Sequence, residues 1–158
     1  MKSGKNYIGL GTGAIILNDK GEVLLIKRPN TITPDRTTSG MWSVPGGEVK
    51  FMEKVEDAVR REVREEIGVE IEIIKSIKYH DQILQESKVH WHCQSFLCKI
   101  KSGAPKILEP DKCEKLEWFD PKNLPEDCGI AHVVVPLYKL GWISKDEYER
   151  RLENTPES

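Results

Sequence analysis

The stretch Gly46-Gly47-Glu48-Val49-Lys50-Phe51-Met52-Glu53-Lys54-Val55-Glu56-Asp57-Ala58-Val59-Arg60-Arg61-Glu62-Val63-Arg64-Glu65-Glu66-Ile67-Gly68-Val69 runs from a glycine turn into a glutamate-loaded helix. Val55, Val59, Val63 and Ile67 recur every four residues, which predicts a helix over 53–67 with one buried stripe. Gly68 then stops it, as glycine does just past a helix end. Glu62, Glu65 and Glu66 stand at i, i+3 and i+4 and share a face of that helix. With Glu62 as the zero of angle, Glu65 and Glu66 flank it by about 60° and about 40° on opposite sides. Ala58, one turn earlier and small, leaves room for a ligand. Arg61 projects to another side, where it can pair with Glu53 and hold loop against helix. Three carboxylates that close repel one another, and a divalent cation would relieve them. Mg²⁺ or Mn²⁺ suits an all-oxygen set, and zinc suits it less because the cluster has no Cys or His. The bland alternative is a solvated helix face on which Arg60, Arg61 and Arg64 pair with the glutamates.

Working outward, 158 residues suffice for one domain with a genuine core, expected over 1–158 with a frayed tail at 154–158. Hydrophobic residues make up 38% and charged residues 32%, an ordinary balance for a globular chain. A net charge of -2 gives no bulk attraction to nucleic acid or anionic membranes, so a small phosphorylated molecule is the expected partner. Cys93, Cys98, Cys113 and Cys128 contain no C-x-x-C spacing and read as reduced thiols, which points to the cytoplasm. The apolar stretch 7–17 is broken by Gly9, Gly11 and Gly13 and has no cleavage pattern after it; nothing reaches membrane-spanning length.

Before the helix, 7–17 and 22–27 read as strands joined through Asn18-Asp19-Lys20-Gly21 into a hairpin. Residues 29–41 form a long polar loop, and loops of that length often carry function. Trp42 to Val44 is a short strand leading into a tight turn at Pro45-Gly46-Gly47. After the helix, strands are expected over 70–82, 89–100 and 115–119. Asp120-Pro121 resembles a helix start that Pro125 cuts short. Residues 133–140 sit on or near a helix interrupted by Pro136. Ser144-Lys145-Asp146-Glu147 is a capping box opening a last helix to about Leu152. The class is α+β, with a mixed β-sheet that becomes an α/β/α sandwich if the terminal helices cover the opposite face.

Gly47, five residues, Glu53, seven residues, Arg61-Glu62-Val63, one residue, Glu65-Glu66, one residue, Gly68-Val69 matches the Nudix box in full, and the chain resembles a Nudix hydrolase. Trp42-Ser43-Val44-Pro45-Gly46-Gly47 also resembles the family's lead-in. The resemblance implies the family's α/β/α sandwich, with Glu62, Glu65 and Glu66 as metal ligands and the Gly47 carbonyl as an addition. Glu62 or Glu66 would also help activate water, with Glu53 and Arg61 as organisers. The implied reaction is attack of water on a nucleoside diphosphate linked to some group X.

Outside the box, Arg28 ends the second strand, where relatives often place a phosphate-binding cation; plain surface charge is the alternative. Trp42 would wall the nucleotide pocket or belong to the core, and Gly46 would approach the substrate with Gly47. The segment 107–119 looks like the late part of MutT-like nucleoside triphosphate pyrophosphatases, where Glu109 or Glu114 would approach the metal. Triphosphates, ordinary or damaged, are therefore favoured. ADP-ribose or nucleotide-sugar cleavage, and a nucleotide-binding sensor without turnover, are the alternatives. A homodimer is admitted, since many relatives pair through sheets or loops. Gly9-Leu10-Gly11-Thr12-Gly13 reads as a strand whose glycines permit close packing, not a phosphate loop. His90 and His92 share one strand face with Trp91 on the other, and Arg36 is the natural phosphate contact in the long loop.

Overall fold

The computed structural model describes residues 1–30 and 39–154. Most of the long loop, with Arg36, and the end of the tail lie outside the described residues. Strands β1 (Gly9–Ile16), β2 (Val23–Lys27), β3 (Trp42–Ser43) and β4 (Gly46–Glu48) precede helix α1 (Val55–Ile67). Strands β5 (Glu70–Ser76), β6 (His80–Leu84), β7 (Val89–Ser102) and β8 (Lys115–Phe119) follow, then a π-helical turn (Ile130–Val134), α2 (Val135–Lys139) and α3 (Lys145–Glu153). One sheet has the order β4-β1-β7-β5 with β6 also paired to β7; the second has the order β3-β2-β8. β1 runs parallel to β7 and antiparallel to β4, so the larger sheet is mixed.

Period-two alternation divides the interior between two helical layers. Ala14 and Ile16 of β1 join Leu24 and Ile26 of β2 against Val59, Val63 and Ile67 of α1. The alternate residues Ile15, Val23 and Leu25 face Val133, Val134 and Leu137 instead. The result is the expected α/β/α sandwich. Each inner strand is buried on both sides, which explains the unbroken apolar runs in its sequence.

Several local expectations are corrected. The turn at Asn18 forms, its Oδ1 accepting from the Lys20 and Glu22 N–H groups at 3.0 and 2.9 Å. Yet β1 and β2 share only the Leu17–Val23 bridge and then enter different sheets. Strands buried on both faces need partners on their own sheets, and each finds them elsewhere. The expected turn at Gly46-Gly47 is strand β4, paired with Gly11, Thr12 and Gly13 of β1. The single strand expected over 70–82 is two, both antiparallel to β7, with one more residue between Ser76 and His80 than between Cys93 and Phe96 opposite. Helix α1 starts at Val55, leaving Glu53 in the preceding turn, and Asp120-Pro121 makes a turn and no helix. Gly68 does end α1, at φ 71° with its N–H on the Arg64 carbonyl. Ser144 caps α3 as expected, accepting from Glu147 N–H at 3.2 Å. No helix among the described residues is long and apolar enough to cross a membrane.

Candidate functional site

The chain passes from one sheet to the other between β3 and β4, at Val44 and Pro45, and a cavity of about 350 Å³ opens at that crossing. Helix α1 presents Glu62 and Glu66 to it, β4 presents Gly46 and Gly47, and the residue after β2 presents Arg28. Gly47 is required by a close approach: a Cβ there would lie 2.5 Å from Glu62 Cδ, so the carboxylate rests directly on the glycine.

The three glutamates are graded in exposure. Glu66 is 4% exposed, Glu62 17% and Glu65 49%. The apolar stripe of α1 lies on the side of Glu62 toward which Glu66 turns, so about 40° of rotation one way buries Glu66 and about 60° the other way exposes Glu65. Glu65 does not line the cavity. Arg61 lies between loop and helix as expected, with Nε on Glu53 Oε2 at 2.8 Å and Nη2 on Glu53 Oε1 at 2.9 Å. It also donates to Glu62 Oε1 at 2.9 Å, to Glu65 Oε2 at 3.3 Å and to the Glu48 carbonyl at 3.1 Å. These bonds hold the Glu53 carboxyl down at about 2, with the Lys50 backbone N–H assisting. Part of the bland alternative therefore holds: Arg61 neutralises Glu62 and Glu65, while Arg64 pairs with Glu70 and Arg60 with Asp57.

Glu66 is different. Burial pushes its carboxyl up to about 7; Arg28 opposes the shift and Glu62 adds to it. Arg28 forms an ion pair with Glu66, Nη2 donating to Oε1 at 3.4 Å and Nη1 standing 3.3 Å from Oε2, yet Oε2 is buried and accepts no hydrogen bond among the described residues. An orphaned buried carboxylate oxygen is costly unless something else satisfies it. The oxygens around it belong to carboxylates and backbone, a donor set that fits a hard divalent cation. No ready cluster of three acidic, His or Cys ligands is gathered among the described residues, because Glu65 is turned to Arg61.

Trp42 is not on the cavity wall. It is 6% exposed in the second core, edge-on to Phe119 at 4.9 Å, because β3 turns it toward α2. The tryptophan that lines the cavity is Trp91, with Gln82, Cys93, Lys112 and His132. Sequence reading put Trp91 opposite His90 and His92 on β7, and both histidines do meet Asp81, at 3.5 and 3.0 Å. It had no signal for Gln82 or His132, which tertiary pairing brings in. Neither Glu109 nor Glu114 lines the cavity; Glu109 accepts from Lys112 Nζ at 3.1 Å, and Lys112 faces the cavity in their place. The His132 imidazole is pushed down to about 4 by burial, then by His80 and Arg28. All four cysteines are free and buried.

Fold and cavity together define an α/β/α sandwich domain with a carboxylate-lined cleft where its two sheets meet. The chain belongs to the NUDIX domain family, which it matches over residues 8–137. It is 36% identical over 124 residues to the putative nudix hydrolase 1 of Caenorhabditis elegans, covering 75% of this chain and 30% of that protein. It is 31% identical over 132 residues to the 8-oxo-dGDP phosphatase NUDT18 of Danio rerio, covering 82% of this chain and 37% of that one. The chain thus spans well under half the length of these curated relatives. Its structure is similar to that of a MutT NUDIX hydrolase from Burkholderia pseudomallei, with a TM-score of 0.73 and 33% identity over 88% of this chain and 100% of the other.

Proposed function

We propose that this chain is a Nudix pyrophosphohydrolase that uses Mg²⁺, or Mn²⁺ in its place, to cut the pyrophosphate linkage of a nucleoside diphosphate linked to a further group. Nucleoside triphosphates, ordinary or damaged, are the favoured substrates, giving monophosphate and pyrophosphate in the cytoplasm. The observation that carries the reading is Glu66 Oε2, buried and accepting no hydrogen bond among the described residues, beside Glu62, Gly47 and Arg28 in one cavity. The likeness to an 8-oxo-dGDP phosphatase supports a nucleotide substrate.

Glu62 and Glu66 would hold the cation, with the Gly47 carbonyl and with Glu65 once it leaves Arg61. Bound there, the cation would neutralise phosphate charge and lower the pKa of a water. Arg28, anchored at 3.2 Å on the Lys112 carbonyl, would offer its guanidinium to a phosphate. Glu62 or Glu66 would take the proton of the attacking water as its oxygen bonds to phosphorus. The bridging P–O bond breaks, and the leaving phosphate keeps the electron pair. Arg61, clamped by Glu53, fixes the direction of Glu62.

Phosphate or nucleotide release with Mg²⁺ and Mn²⁺ across nucleoside triphosphates, 8-oxo-dGDP, ADP-ribose, NADH, dinucleoside polyphosphates and nucleotide sugars tests the reading. With the best substrate, Glu66→Gln is expected to lower kcat about a hundredfold or more. Turnover left intact by that substitution would remove Glu66 from the reaction. Nucleotide binding without hydrolysis of any panel member would make the chain a sensor instead.

A further inference from the structure

The cavity extends well beyond the glutamates, and its far end is built from side chains the hydrolysis does not use. On β7, Trp91 pairs with Gly9 of β1 on one side and Gln82 of β6 on the other, and Cys93 pairs with Gly11 and His80. Cross-strand partners share a face, so Trp91, Gln82, Cys93 and His80 all stand on the same side of the sheet. The glycines give that face its shape. A Cβ at Gly9 or Gly4 would collide with the Trp91 indole, so both are spent on seating the ring. Gly11 is left open: a Cβ there would meet nothing closer than the indole at 3.7 Å. Gly11 also pairs with Glu48 beside Gly47, so this open floor is continuous with the candidate pyrophosphate end.

Polar atoms on this face of the sheet lack hydrogen-bond partners among the described residues. Gln82 Oε1 and His80 Nε2 are buried and make no hydrogen bond among the described residues. Gln82 and His132 both line the cavity, and Trp91 supplies an apolar surface next to them. A flat ring with hydrogen-bonding groups along its edge would satisfy such a site. An aliphatic chain would not, because it offers no donor to Gln82 Oε1, and a lone phosphate would not, because it has no apolar face to lay against Trp91. The primary amide of Gln carries an acceptor beside a donor and can pair in bidentate fashion with a base edge carrying the complementary pair.

We infer that Gln82 is a specificity-determining residue that reads the edge of the substrate's nucleobase, with Trp91 and the open Gly11 floor forming the seat and His132 closing it. The inference deepens the proposed function by assigning the nucleobase, not the distal group X, to this end of the cavity. It rests on that reading for the reaction alone. The binding of a nucleobase is measurable without turnover.

The test is calorimetric binding, without metal, of the four common ribonucleoside 5′-monophosphates and of ribose 5-phosphate, which carries the same phosphate and sugar but no base. The parent protein should bind at least one monophosphate about tenfold more tightly than ribose 5-phosphate, and Gln82→Leu should bring that ratio toward one. Gln82→Glu keeps the side-chain shape but only accepts hydrogen bonds. It should shift the ratio of cytosine to uracil binding about tenfold toward cytosine, whose exocyclic amino group donates. Thermal unfolding of each variant establishes that it is folded before its ratios are read. A parent ratio of one, or ratios unchanged in both folded variants, overturns the inference. Base-dependent binding in a parent that hydrolyses nothing would leave it standing while the hydrolase reading falls.

Discussion

Arg61 reaches four acceptor residues at once: Glu53, Glu62, Glu65 and the Glu48 carbonyl. Arg61→Ala would leave those carboxylates facing one another, and stability should fall by about 2 kcal/mol, read as the urea midpoint at an unchanged m-value. Activity should fall as well, with a higher Mg²⁺ concentration needed for half-maximal rate, since Glu62 loses its orienting bond. Glu53 is the pH-sensitive half of this clamp. Its folded carboxyl titrates at about 2 against an ordinary 4.5, so the clamp's contribution is present above pH 4.5 and lost as pH falls toward 2. Glu53→Gln should flatten the melting temperature over that window; a parallel slope in both proteins would disprove the linkage. How far the sequence speaks at this scale depends on where a residue's partners lie. Glu53, Arg61 and Glu62 were legible because one turn and one helix hold them all. Trp42 and Trp91 were not, because each sits on a strand and only the sheet it joins decides which of the two reaches the cavity.

Among the elements, α1 was read nearly whole, and its end shows why: the stop is a local backbone conformation. Gly68 sits at φ 71°, and a Cβ there would also come within 3.1 Å of Leu108 Cδ1. Gly68→Ala should therefore cost about 1–2 kcal/mol, measurable by urea unfolding. A smaller loss, near zero, would mean the helix end relaxes into another cap. The β1–β2 hairpin misled for the opposite reason. Asn18 fixes a turn, but the turn does not choose strand partners. β1 and β2 each carry consecutive apolar residues whose two faces are covered by the two helical layers, and their edges pair in different sheets, β1 with β4 and β7 and β2 with β3 and β8. The break between β5 and β6 was equally hidden, since an extra residue opposite β7 has no mark in composition. It matters for function, because the side-chain faces of His80 and Gln82 are set by the pairing that resumes after it.

At the scale of the whole molecule, the cavity lies where the chain crosses between its two sheets, and residues from both sheets and from α1 line it. The groups lining it are therefore partly desolvated in every folded copy. That has a consequence at acid pH beyond the carboxylates. Burial holds His132 down at about 4 and lowers His80 as well, against an ordinary imidazole value of 6.5. Below pH 6.5 the unfolded chain takes up protons at these positions that the folded chain refuses. At these two positions the unfolded state then binds more protons, so their contribution to stability rises with pH through this window and falls as pH drops from 6.5 toward 4. The groups facing His132 are His80 and Arg28, both of which disfavour a second positive charge, and no carboxylate is among the causes of its shift. Glu66, held up at about 7, takes up a proton in the fold over nearly the same window and acts in the opposite sense, so the histidine contribution is read as the difference between the parent and a His132 variant, well above the range where Glu53 and Glu147, each held at about 2, protonate. His132→Gln removes the titrating ring, so relative to the parent it should hold its melting temperature better between pH 6.5 and 4, while the fall below pH 4 stays in place. If the variant and the parent lose melting temperature equally between pH 6.5 and 4, the buried imidazole of the cavity is not what makes the fold sensitive there.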